Sequence, residues 1–142
     1  GIEDLRLGSH GFSIPKTEER GITLAQLKAL LAHVSRRCQR ERWISSNPSN
    51  PREVDAESIN LYDLVFHVLK PVTMNSQSSY VEFVVPGKQI PSWFVSHWWG
   101  EPVAEFVCCL SQHAQDRRLG ENASYWVCAY ANNQWKAADE VG

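Results

Sequence analysis

The chain has no apolar run near the ~20 residues that a membrane-spanning helix needs; its longest uncharged apolar stretches are strand-sized. It has no excess of one charge. Fourteen Lys and Arg stand against sixteen Asp and Glu, for a net charge of −2. That removes the global basic field that would favour nucleic acid or an anionic membrane. Also missing are a Gly-x-Gly-x-x-Gly or other phosphate-cradling loop and a Gly-x-Ser-x-Gly nucleophile elbow. The N-terminal Gly1-Ile2-Glu3-Asp4-Leu5 lacks a basic segment followed by an apolar one, so no targeting segment is visible. No internal repeat is present.

Cysteine is scarce as well. Cys38, Cys108, Cys109 and Cys128 are the only four, and three fall in expected core elements. Adjacent residues on a helix point in different directions, so Cys108 and Cys109 are not a ready-made pair. The expectation is free thiols acting as small buried hydrophobes in a reducing, intracellular compartment, either cytoplasm or an organelle interior. Cys109 and His113 share a helix face but offer at most two ligands, so no metal is expected. No cofactor is expected either. Asn122-Ala123-Ser124 matches a glycosylation acceptor, which means something only in a secreted chain.

What is present fits one soluble α/β domain. The 142 residues, 43% hydrophobic and 21% charged, are enough for a real core. Residues 1–21, punctuated by Gly8, Gly11 and Pro15, read as an extended or poorly ordered arm. Thr23 and Gln26 form a capping box, and Leu24, Leu27, Leu30, Leu31, Val34 and Cys38 recur at helical spacing. That predicts a helix over 24–40. Its basic end, Arg36 to Arg42, suits a helix C-terminus and lacks the aromatics of a nucleic-acid surface. A Ser/Asn/Pro loop at 45–51 follows. A second helix is expected over 60–70, starting at Asn60 with Asp63 and stopped by Pro71, within a helical region spanning 22–72.

From Tyr80 the pattern turns to strands. Val81, Phe83 and Val85 alternate with Tyr80, Glu82 and Val84, which predicts a half-exposed strand ending at Pro86-Gly87. Trp93 to Val95 reads as a buried parallel strand. Pro102 opens a helix whose inner face is Val103, Phe106, Val107, Leu110 and Ala114, and Leu119-Gly120 closes it. Tyr125 to Tyr130 reads as a second apolar strand. The segment 79–136 is thus a partial α/β core, with 137–142 as a tail. A doubly wound sheet normally needs four or five strands. Either the chain is the front of something larger, or a partner completes the sheet.

A right-handed strand–helix–strand unit makes its strands parallel. Their C-terminal ends would then bring Ser96, His97, Trp98, Trp99 and Glu101 beside Asn132, Asn133, Gln134 and Trp135, at the edge where open α/β sheets bind ligands. His97 could act as a base, or could order the loop through a backbone carbonyl. Ser96 lacks the elbow that would make it a nucleophile. Trp98 and Trp99 are expected to face opposite ways, one into the core. Glu101 opposes an anion at the following helix N-terminus.

Two resemblances rest on these residues. Ser96-His97-Trp98-Trp99-Gly100, together with Trp126 to Gln134, resembles the heterokaryon-incompatibility (HET) domain, with its Ser-Tyr-x-Trp-Gly and Trp-Ile-Asp-x-Leu-Cys-Ile-Asn-Gln segments. Ser96, Trp99 and Gly100 match the first; Trp126, Asn133 and Gln134 match the second. His97 replaces a tyrosine and Cys128 the aspartate. That family is related to TIR domains, flavodoxin-like α/β modules of signalling assemblies, some of which cleave NAD. Over residues 55–136 the chain also resembles a large dinoflagellate-type protein family of uncharacterised function. Leu61-Tyr62-Asp63-Leu64, Pro71-Val72-Thr73 and Trp93 to Trp135 carry that similarity.

The resemblance implies a partial flavodoxin-like, TIR/HET-like parallel sheet with flanking helices. The function expected is a non-catalytic interaction or scaffolding module, an accessory subunit of a larger assembly, organellar ones included. Its partner would be a protein that completes or covers the sheet. The alternative is a nucleotide-processing enzyme acting on NAD through His97, Trp98, Glu101, Asn132 and Asn133. Nucleic-acid binding comes third, resting on the Arg36–Arg42 run alone.

Overall fold

Leu5 and Ile14 decide the course of the first twenty residues: both are fully buried. In the computed structural model, which describes residues 1–136, the arm is therefore not loose. It forms a short helix α1 (Glu3–Arg6) and then packs along the middle of the chain. The Phe12 N–H donates to Glu82 O at 2.9 Å, the Ile14 N–H to Glu82 Oε2 at 2.9 Å, and Arg6 Nε to Phe83 O at 3.0 Å. The expected tail, 137–142, lies outside the described residues.

Strand β1 (Ile22–Thr23) leads directly into helix α2 (Leu24–Glu41). The capping box forms as the residue types require: Thr23 Oγ1 accepts from the Gln26 N–H at 3.2 Å, and Gln26 Oε1 accepts from the Thr23 N–H at 2.9 Å. Leu24, Leu27, Leu30, Val34 and Cys38 are its buried stripe.

The second helical stretch starts where expected, with Asn60 capping α3 (Leu61–Leu64). Pro71 does not stop it. The backbone widens into a π-helical turn over Val65–Leu69 and continues as α4 (Lys70–Thr73). A proline has no N–H to give and crowds the carbonyl four residues back. A π turn changes that spacing, so the ring is carried in the first turn of α4.

Residues 80–84 are not a strand. They form helix α5 (Tyr80–Val84), opened by a second capping box between Ser79 and Glu82. Tyr80, Val81, Phe83 and Val84 are all buried, so both faces of the segment are apolar. Burial on both faces erases the difference that the alternation was meant to report.

Strand β2 (Trp93–Val95), helix α6 (Val103–Asp116) and strand β3 (Ser124–Val127) form the expected crossover. The two strands are parallel, with Trp93 opposite Tyr125 and Val95 opposite Val127. The third strand of the sheet is β1, antiparallel to β3 through Ile22 and Tyr125. The order is β1-β3-β2. β2 is therefore an edge and not a buried strand, and Phe94 on it is 66% exposed. β3 stops at Val127, three residues short of expectation, because the chain coils into α7 (Cys128–Ala131). Ala129 and Ala131 favour a helical turn and bring no β-branched bulk to hold an extended one.

One hydrophobic cluster runs from Leu5 through α2, α5 and α6 to Tyr130. Arm, helical region and sheet share it. All four cysteines are free, but only Cys38 is buried; Cys108 and Cys109 are exposed, against the expectation of buried thiols. Among the described residues no helix is long and apolar enough to cross a membrane.

Candidate functional site

The turn after β2 is held by His97. Its ring lies flat on Phe106, 4.0 Å between centroids and 6° between planes. Nε2 stands 3.3 Å from the Glu101 backbone O and 3.9 Å from the Glu101 carboxylate. A carbonyl can only accept, so the neutral ring carries its proton on Nε2. Nδ1 is buried with no hydrogen-bond partner. Burial pushes the imidazole below its ordinary pKa, and the bond to Glu101 O offsets that in part. A neutral, stacked, inward-turned ring orders a loop; it is badly placed to take a proton from a substrate.

Its neighbours divide. Trp99 packs against the core and sits 5.2 Å from the Tyr62 ring. Trp98 is 75% exposed and lies over Gly100, where an added Cβ would come within 2.9 Å of the indole. The Ser96 side chain is exposed. Ser96 and Glu101 line a cavity of about 340 Å³ with Trp93, Phe106, Cys109 and His113.

The residues beyond β3 go elsewhere. Asn132 Nδ2 donates to Cys128 Sγ at 2.9 Å. Asn133 Nδ2 donates to Gln77 O at 2.7 Å, and its Oδ1 accepts from the Trp135 N–H at 2.9 Å. Gln134 Nε2 donates to Ala129 O at 3.0 Å. Trp135 Nε1 donates to Thr73 Oγ1 at 3.0 Å. Asn133 lines a different cavity, of about 430 Å³, with Ser13, Arg20, Gln77, Glu82 and Lys136. The parallel strands are present, but the α7 turn diverts the chain. The expected cluster at one sheet edge splits in two.

No family model, curated protein or solved structure matches this chain. Among the described residues no group of three or more metal-binding side chains comes together.

Sequence reasoning passed over two groups. In sequence His113 reads only as a potential metal ligand. Its Nδ1 is 3.0 Å from Tyr125 OH, and its ring meets Trp93 edge-on at 4.9 Å. The signal was there: Phe106, Leu110 and His113 share one helical stripe. Arg20 is nearly buried. It donates to Ile14 O at 2.8 Å and Ala131 O at 3.0 Å and stands 3.4 Å from the Glu82 carboxylate. No local pattern marks it, since its partners are far away in the chain.

The cavity beside His113 lies between β2 and α6, with Tyr125 of β3 in its wall. The Leu24 N–H donates to Ala123 O at 3.1 Å and Ile22 pairs with Tyr125, so Tyr125 turns its main chain to β1 while Ser124 and Trp126 turn theirs to β2. With Phe94 opposite Trp126, Trp93 and Val95 then bond to β3, and Phe94 turns its N–H and C=O away. No strand pairs with that side among the described residues. The open side of β2 thus presents the main-chain hydrogen-bonding groups of Phe94 next to a largely apolar groove.

Proposed function

We propose that this chain is a non-catalytic protein-interaction module that captures an extended segment of a protein partner along the open edge of β2, as an accessory subunit of a larger assembly. The unpaired main chain of Phe94 beside an apolar groove carries this reading. An added strand would give main-chain hydrogen bonds for affinity and groove contacts for specificity. Exposed Phe94 and Trp98 flank the edge and supply the apolar contact area that such docking uses. The resemblance to HET and TIR domains, modules of signalling assemblies, points the same way. Four free thiols, two of them exposed, suit a reducing compartment inside the cell.

The test is selection from a library of extended peptides against the whole chain, repeated with Phe94→Pro. That substitution removes an outward N–H and leaves the ladder to β3 intact. Binding that the proline abolishes supports the reading. Binders indifferent to it, or none, refute it. The nucleotide alternative needs His97 and Asn133 around one ligand, whereas the His97 ring is stacked on Phe106 and Asn133 lines the cavity that holds Arg20 and Glu82. Tryptophan fluorescence during NAD titration, with an assay for nicotinamide release, checks it; quenching with release would replace our reading.

A further inference from the structure

The groove between β2 and α6 holds one carboxylate without a counter-charge. Trp93, Phe106, Leu110 and Tyr125 form its walls, and Glu101, just before α6, is the acid among the residues that line it. No lysine or arginine of the described residues joins them. The one basic side chain within 4 Å of that carboxylate, among the described residues, is His97, with Nε2 at 3.9 Å. Its ring is neutral: burial lowers its pKa, and Nε2 donates its proton to the Glu101 backbone O. Arg117, whose guanidinium stands 5.9 Å from the Trp93 ring, follows the far end of α6 and lies outside the lining. The Glu101 side chain is only 30% exposed, so an occupant of the groove takes away much of the water that its charge still has.

Resting on the proposed reading of β2 as a docking edge, we infer that its occupant is a partner segment that sets a lysine or arginine side chain in this groove, against the Glu101 carboxylate. Phe94 turns a single N–H and a single C=O outward, so the main chain supplies little affinity and the side chains must supply the selectivity. Side chains of an added strand alternate between the two faces of the sheet. Trp93 turns to α6, where its ring meets His113 at 4.9 Å; Phe94 turns to the opposite face, beside Trp126. Residues of the added strand that share the Trp93 face therefore enter the groove. An acid there meets Glu101 with like charge. An apolar side chain suits the walls but strips water from the carboxylate and offers it no partner. A basic side chain lays its alkyl stem along the walls, holds its cation near aromatic rings and brings the missing counter-charge, where the loss of water strengthens the attraction. Of the three, only the basic side chain satisfies both the walls and the acid.

The experiment repeats the selection of extended peptides on the full chain and on Glu101→Gln, Glu101→Lys and Glu105→Gln, each first checked for the parent's circular dichroism. Glu105 is exposed on α6 and lies outside the groove, so it reports any general pull of the chain's negative charge on cationic peptides. We expect the parent and Glu105→Gln to select the same peptides, with lysine or arginine at a groove-facing position. Exchanging that residue for norleucine in the synthetic peptide should weaken binding to the parent roughly tenfold and leave binding to Glu101→Gln nearly unchanged. Glu101→Lys should select an acid in its place. Binders without the basic residue overturn the inference, as does a preference that survives Glu101→Gln or is lost equally in Glu105→Gln. If those binders still fail on Phe94→Pro, the docking edge stands and only the class of side chain is wrong. If no peptide is selected at all, the edge is refuted and the inference with it.

Discussion

Gly21 sits where β1 begins, and the 89–91 segment crosses it closely. A Cβ there would lie 2.1 Å from Gln89 O and 2.2 Å from Ser124 Oγ. Neither is the free end of a flexible chain, so the backbone must move. Gly21→Ala should destabilise the fold by about 2 kcal/mol or more, the range for forced overpacking. Gly87 has nothing within 4 Å of the same position, and Gly87→Ala is the neutral control. Urea midpoints for the two variants check this; equal midpoints would refute the close approach. Asp63 makes a similar case. Its place beside the Asn60 cap is readable in sequence, but its second task is not. Asp63 Oδ1 also accepts from Ser45 Oγ at 3.2 Å and from the Ser46 N–H at 2.8 Å, tying the 45–51 loop to α3. Asp63→Ala should cost about 1–3 kcal/mol for the buried donors it strands, read in the same titration. Such long-range partners leave no trace in local spacing. His97 shows it too: its position before the α6 turn was legible, its stack on Phe106 was not.

At the level of elements, capping chemistry proved more informative than alternation. Thr23 with Gln26 marked α2 to within a residue of its start. Ser79 with Glu82 is the same signature, and it too opens a helix. Period-two reading of Val81, Phe83 and Val85 pointed to a strand because it assumes one wet face, and α5 has none. Glu82 also fastens the arm. It accepts from the Ile14 N–H through Oε2 and meets Arg20 through Oε1, both side chains being nearly buried. Glu82→Gln removes the carboxylate from a buried guanidinium, and breaking such a pair costs about 3–5 kcal/mol. The arm should then become the first segment cut in limited proteolysis, between Arg6 and Lys16. A digestion pattern unchanged from the parent would mean that Leu5 and Ile14 hold the arm without Glu82. Ser79→Ala, which removes only the cap, should cost about 1 kcal/mol and leave the arm protected.

For the whole molecule, the parallel pairing of Trp93–Val95 with the strand after α6 was legible, because apolar runs bracketing an amphipathic helix admit few topologies. The third strand was not, since two residues carry no period. Nor was the coil after Val127, beyond which Asn133 bonds to Gln77 O. One cluster spanning all the elements implies one cooperative unfolding transition, so charges buried far apart act on a single equilibrium. Two histidines set its pH dependence. His33 is buried on α2, and its Nε2 stands 3.1 Å from the Arg37 guanidinium, a contact open only to the unprotonated nitrogen. Burial first, then Arg37, Arg36 and the N-terminal amine, lower its pKa from 6.5 to about 4, with Asp4 opposing. His97 is lowered by burial as well. Since the fold accepts only the neutral rings, the unfolded chain binds the additional protons. Stability is therefore complete above pH 6.5 and declines as pH falls towards 4, by on the order of 2 kcal/mol for His33 alone. Glu41 acts lower down. Hydrogen bonds from Arg37 and Trp43 hold its carboxyl at about 2, so what it contributes persists above pH 4.5 and fades only as pH falls through 2. Replacing His33 with Gln keeps an acceptor for Arg37 and removes the titration. Urea unfolding of this variant at pH 7.5, 6, 5 and 4.5 should show a shallower decline than the parent, with His97 supplying what remains; an identical slope would mean that His33 takes up its proton without cost to the fold.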